Sequence, residues 1–186
     1  MRLFIGITFD ESTKSRLVAI QDRIKALSVK GSFTRIENLH LTLVFIGEVT
    51  SSLVPDIISI IQNTLLPLEQ KAFSLPFIRI GNFKRSNKEL WWIGPDMTDS
   101  ETIVSIHTLT SIRQKIGDNL DRAGIHYDRR PFRAHITLGR EIKTSGTIEQ
   151  MEEKITVPVH RISLMKSERI KGLLTYIEIF AVDLKL

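Results

Sequence analysis

No cysteine occurs among the 186 residues. That absence removes disulfides, thiolate metal sites and a cysteine nucleophile, so the fold must stand on packing. No apolar run approaches the length of a membrane span, and no linker-like or low-complexity stretch divides the chain. Residues 1–186 therefore read as a single unit, cytoplasmic, with no membrane association and no obligate protein partner. The sequence also lacks a Gly-x-x-x-x-Gly-Lys loop for a nucleoside triphosphate and a Gly-x-Ser-x-Gly turn for a serine nucleophile. Lysine and arginine exceed aspartate and glutamate by 26 to 21, a formal charge of +5. Such a surplus is compatible with phosphate-bearing partners without identifying one.

Hydrophobic periodicity predicts an α+β chain. Leu3 to Phe9 reads as a buried first strand rather than a secretory leader, because the apolar run is short and no small-residue cleavage site follows. Asp10 is placed to cap a helix carrying Leu17, Ile20, Ile24 and Leu27, which should end near Gly31. A short strand at Phe33 to Ile36 and a turn at Glu37-Asn38 lead into a strand from Leu39 to Val49. A second helix spans about Pro55 to Leu66. Strands follow at Phe73 to Phe83 and Leu90 to Ile93, separated by a polar turn from Lys84 to Glu89. Thr98 to Glu101 fits a capping box, opening a helix with the stripe Ile103, Ile106, Leu109, Ile112 and Ile116. Ile155 to Met165 and Thr175 to Leu184 read as closing strands.

Two short segments match. His40-Leu41-Thr42-Leu43 and His135-Ile136-Thr137-Leu138 each read histidine, apolar, threonine, apolar. On a strand, His40 and Thr42 share one face and Leu41, Leu43 and Phe45 the other. In the second copy Arg133, His135 and Thr137 share a face. Each motif closes a strand, helix, loop, strand series, which predicts two similar intertwined lobes with the His/Thr faces meeting across a cleft.

Two histidines in one cleft supply an acid and a base near neutral pH. In-line displacement at a phosphodiester needs one group for the attacking oxygen and another for the leaving oxygen. Thr42 and Thr137 are placed to donate hydrogen bonds to phosphate oxygens. Arg133, and Arg130 nearby, are candidates for a charged clamp. The scheme needs no metal and no cofactor. Each motif offers one imidazole with no suitably spaced carboxylate, a poor metal site. Otherwise the cluster from Arg129 to Arg140 is open to reading as a solvated face, above all at Arg129, while His107, His126 and His160 read as surface residues and Phe45 and Phe132 as core. Of Trp91 and Trp92, one should be core while the other is placed to stack on a base.

The two motifs in their contexts, Asn38 to Glu48 and Arg130 to Arg140, together with Met1-Arg2-Leu3-Phe4-Ile5 and Trp92-Ile93-Gly94, resemble the two-histidine phosphoesterases. Within these they are most similar to the RNA 2',3'-cyclic phosphodiesterases, also called 2'-5' RNA ligases. The chain departs from the commoner pattern at Phe33 to Ile36, where a tryptophan often stands. The resemblance implies a bilobal pseudo-twofold fold, two antiparallel sheets lining a central cleft with helices outside. It implies metal-independent hydrolysis of RNA 2',3'-cyclic phosphate ends to 2'-phosphomonoesters, possible in reverse as 2'-5' ligation. It also implies His40 as proton donor, His135 as proton acceptor, and Thr42 and Thr137 as phosphate holders. The residues themselves support the pair but leave the assignment of acid and base open. Two alternatives stand beside this reading: a non-catalytic module binding RNA or nucleotide phosphate, and a sister phosphodiesterase acting on another cyclic phosphate or on 2'-5' oligonucleotides.

Overall fold

The computed structural model describes residues 1–85, 88–146 and 154–185. Strand β1 (Arg2–Thr8) buries Leu3, Ile5 and Ile7. The Asp10 carboxylate accepts the Thr13 backbone N–H at 2.7 Å, satisfying a donor that a helix start leaves unpaired. The capped helix α1 (Glu11–Ala26) buries Leu17, Ile20 and Ile24, each such side chain contributing about 1.5–3 kcal/mol when fully withdrawn from water.

Helix α1 stops at Ala26, short of Gly31, because the following residues are taken by a strand, β2 (Ser28–Phe33). Gly31 serves a close strand crossing: a Cβ there would meet Ile142 Cγ1 at 2.6 Å and Cα at 2.8 Å. Where the sequence suggests a strand at Phe33 to Ile36, the chain instead enters a single 3-10 turn, Ile36–Asn38.

The chain continues through β3 (His40–Glu48), α2 (Val54–Leu65), β4 (Phe73–Arg85), β5 (Lys88–Pro95) and α3 (Ser100–Arg122). The polar turn expected at Lys84 to Glu89 lies partly outside the described residues. Helix α3 starts on Asp99, not on a Thr98 capping box. The Asp99 carboxylate accepts the Thr102 N–H at 2.8 Å, while Thr98 turns back to Asp96 through its own N–H at 3.1 Å. The last strands are β6 (Ile136–Thr144), β7 (Ile155–Val159), β8 (Arg161–Ile170) and β9 (Leu173–Asp183). The expected run from Ile155 to Met165 is two strands, separated at His160.

All strand pairs named here are antiparallel, in the order β7-β4-β5-β6-β3-β1-β8-β9, with β2 added on β6. The order has a centre of symmetry: β6 answers β3, β5 answers β1, β4 answers β8 and β7 answers β9. The two expected sheets are the halves of this one curled sheet, joined at the pair Leu41 and Ile136. Helices cross between the halves, α1 packing on β6 and β7 and α3 on β3 and β4. Leu109, Ile112, Ile116 and Leu120 of α3 are buried in one cluster with Ile57 and Ile61 of α2 and the apolar face of the sheet. That leaves the opposite face of β3 and β6 to line the cleft. Among the described residues no helix is long and apolar enough to cross a membrane.

Candidate active site

The crossing of β3 and β6 at Leu41 and Ile136 sets the arrangement of the two motifs. In an antiparallel pair the flanking residues run in opposite order, so His40 and Thr137 fall at one end of the crossing and Thr42 and His135 at the other. Leu41 and Ile136 point to the core, where both are buried, and the four polar residues take the other face.

Each histidine is held the same way. His40 Nδ1 lies 2.7 Å from the Asn38 carbonyl, and His135 Nδ1 lies 2.7 Å from the Arg133 carbonyl. A carbonyl oxygen only accepts, so Nδ1 carries the proton in both rings and Nε2 is the unprotonated nitrogen of the neutral ring. His40 Nε2 is 2.9 Å from Thr42 Oγ1, and with the neutral ring it is the threonine hydroxyl that donates.

Aromatic rings fix both imidazoles. His40 sits 4.7 Å from the Phe4 ring and 5.0 Å, edge-on, from Tyr176. His135 meets Phe83 edge-on at 5.5 Å, and Phe83 rests on Trp92 at 5.2 Å. Trp91 is the core tryptophan. Trp92, on the opposite face of β5, lies across Gly81 and Gly94, where added Cβ atoms would meet its ring at 2.5 Å and 2.7 Å. Asn38, buried, donates to the Leu174 carbonyl at 2.8 Å and accepts the Tyr176 N–H at 3.3 Å. Strand β9 is thereby tied to the approach of His40.

Burial under these rings pushes the His40 pKa down to about 4, against the upward pull of the Asn38 carbonyl; the His135 and Arg140 charges lower it further. Burial also lowers the His135 pKa, with Arg140 adding to the effect and the Arg133 carbonyl opposing it. Both shifts favour the neutral ring at pH 7. A phosphate anion between them would favour their charged forms.

Arg140, to which the sequence pattern gives no role of its own, is exposed on the motif face of β6. Strict alternation would put it on the core side with Leu138. The pairing with β5 runs Trp92 to Thr137, then Trp91 to Gly139 and Leu90 to Arg140, which leaves Leu138 as an extra, bulged residue. A bulge reverses the parity beyond it and brings Arg140 to the Thr137 face. The freed Leu138 carbonyl is taken by the buried Gln21 side chain at 2.7 Å and by the Thr34 N–H at 2.9 Å. Strand β3 does the same after its own motif. Gly6 pairs with Thr42, Ile5 with Val44 and Phe4 with Phe45, so Leu43 is bulged and Phe45 leaves the apolar face. Phe45 is half-buried and stands where Arg140 stands in the other half.

The remaining candidates are placed differently. Arg133 precedes β6 in irregular chain, where strand parity does not apply; its side chain is exposed and its carbonyl holds His135. Arg130 is spent on the Asp128 carboxylate, its Nε 2.9 Å from both oxygens, because the two residues sit two apart in a turn. It lines a groove of about 810 Å³ between the end of β3 and the segment before β6. His107, His126 and His160 are exposed, and Phe132 packs partly buried on the core.

This fold, with two matched histidine strands at the centre of a symmetric sheet, is that of the two-histidine phosphoesterases. The chain belongs to the 2'-5' RNA ligase superfamily, whose family model matches residues 12–171. The RNA 2',3'-cyclic phosphodiesterase of Thermotoga maritima is 26% identical over 159 residues, 85% of this chain and 79% of that protein. The RNA 2',3'-cyclic phosphodiesterase of Archaeoglobus fulgidus is 28% identical over 156 residues, 83% and 80% of the two chains. E. coli LigT complexed with 3'-AMP superposes with a TM-score of 0.80 at 22% identity, covering 100% of this chain and 98% of LigT. At that identity the likeness speaks for the fold.

Proposed function

We propose that the chain hydrolyses the 2',3'-cyclic phosphate at an RNA end to a 2'-phosphomonoester by paired-histidine acid-base catalysis. The observation that carries this reading is the matched pair of imidazoles, each with Nδ1 engaged by the carbonyl two residues back, so that Nε2 is the nitrogen open to proton exchange; on His40 it accepts from the Thr42 hydroxyl at 2.9 Å. The names of the curated relatives point to the same substrate. The cyclic phosphate sits between the rings. His135 Nε2 takes a proton from water as the water oxygen bonds to phosphorus. The bond from phosphorus to O3' breaks, and protonated His40 gives its proton to O3'. Thr42 and Thr137 hydroxyls and the Arg140 guanidinium take the charge that builds on the non-bridging oxygens. His40 needs the substrate anion to raise its pKa before it can serve as the acid, so binding and protonation are coupled. With an RNA 5'-hydroxyl in place of water, the same groups open the ring to a 2'-5' phosphodiester: His135 takes the hydroxyl proton, the oxygen bonds to phosphorus, and O3' leaves with the proton of His40, which is 2'-5' ligation.

The test is incubation of a short RNA ending in a 2',3'-cyclic phosphate, with EDTA present. A 2'-phosphate product supports the reading; RNA binding without turnover at any pH replaces it with a phosphate-binding module.

A further inference from the structure

Arg2 and Phe4 are two apart on β1 and share a face. Phe4 touches His40 at 4.7 Å, so that face is the cleft face, and Arg2 lies one strand repeat, about 7 Å, further along it. Its guanidinium carbon rests 5.0 Å from the centre of the Phe45 ring, the ring that the bulge at Leu43 turns to the same side. Among the described residues the guanidinium has this aromatic partner and no carboxylate one; Glu48, opposite Arg2 in the strand pair, is engaged by the Met1 ammonium at 3.7 Å. Arg129 and Arg130, by contrast, are neutralised by Asp121 and Asp128. The charges of Arg2 and Arg140 both reach the phenol of Tyr176, the ring packed on His40. Beyond Phe45 the surface opens into the groove of about 810 Å³.

We propose that Arg2, seated on Phe45, binds the phosphodiester one nucleotide upstream of the reacting end, so that the preferred substrate is an oligonucleotide rather than a nucleoside cyclic phosphate. This rests on the phosphodiesterase reading above. A guanidinium already ordered against an aromatic face loses little further freedom on meeting a phosphate, and its outer plane offers a stacking surface. The groove gives the strand room to continue away from the cleft.

The experiment compares a nucleoside 2',3'-cyclic phosphate with a dinucleotide ending in the same cyclic phosphate, for the wild type, Arg2→Gln and Arg2→Lys. The wild type should favour the dinucleotide roughly tenfold in kcat/KM, the size of one charged contact, with the difference in KM. Arg2→Gln should abolish most of that preference while unfolding at the wild-type temperature, and Arg2→Lys should retain part of it. The salt dependence for the dinucleotide should become shallower in Arg2→Gln by about 0.7 in logarithmic slope, one phosphate's share. Equal losses on both substrates in Arg2→Gln, or a wild type without preference, would overturn the proposal and leave the phosphodiesterase reading intact. A wild type that opens neither ring would overturn both.

Discussion

Leu41 and Ile136 face each other where the two halves of the sheet join, and that one contact makes a single site from residues 95 positions apart. Because the strands are antiparallel, the pair sits at the centre of a cross with His40 and Thr137 on one side and Thr42 and His135 on the other. The bulges at Leu43 and Leu138 then turn Phe45 and Arg140 to the same face.

The low pKa of His40 has a consequence for stability. Its folded value of about 4 lies below the usual 6.5, so between those values the unfolded chain binds the proton and the folded one does not. Stability is fully present above about pH 6.5 and is lost as pH falls toward 4, by up to about 3 kcal/mol from this ring. Urea unfolding of the wild type and His40→Gln at pH 7 and pH 4.5 checks this. The wild type should lose more stability than the variant on acidification, and parallel losses would contradict it.

Arg140→Gln should lower kcat/KM about 100-fold, the usual effect of deleting one group that stabilises transition-state charge. The same change removes a positive charge that lowers both histidine pKa values, so both should rise, as histidine NMR titration would record. An active variant with unmoved histidines would mean that Arg140 faces away.

Gln21 is a buried polar residue beside Leu17, Ile20 and Ile24, and its side chain spans the Thr34 and Leu138 carbonyls at 2.8 Å and 2.7 Å. Gln21→Leu should cost about 2 kcal/mol by leaving a buried acceptor underused. Loosening the Leu138 bulge should also reproduce part of the Arg140→Gln defect in kcat/KM. A stability loss with wild-type turnover would restrict Gln21 to a structural role.

Asn38→Ala removes the two bonds that Asn38 makes to β9, leaving the Arg35 guanidinium on the Leu174 carbonyl at 3.3 Å. The expected cost is about 2 kcal/mol, with faster amide exchange at Tyr176 as the local sign. Unchanged exchange there would show that β9 is held by other contacts.

Some of this was legible in the sequence. The motif strands, the Asp10 cap and the helical stripes are local signals, each written in residues a few positions apart. The bulges are not local: alternation predicts Phe45 in the core and Arg140 on the far face, and only the pairing of β3 with β1 and of β6 with β5 reverses them. The parity argument for Arg133 does not hold for a related reason, since it extends alternation three residues ahead of the strand that begins at Ile136. Tyr176 was invisible because its neighbours, Phe4 and His40, come from the other end of the chain. Gly31 resembled a helix stop because glycine serves both helix ends and close strand crossings, and the sequence does not distinguish them.

The most direct measurement of the central claim is the pH dependence of kcat/KM on a 2',3'-cyclic phosphate RNA for the wild type, His40→Ala and His135→Ala. Two imidazoles acting as acid and base predict a bell for the wild type, with its optimum below about 6.5 because both pKa values lie under the ordinary one. Each variant should fall by about 100-fold or more and lose a different limb of the bell. A flat wild-type profile, or two variants that lose the same limb, would contradict the account.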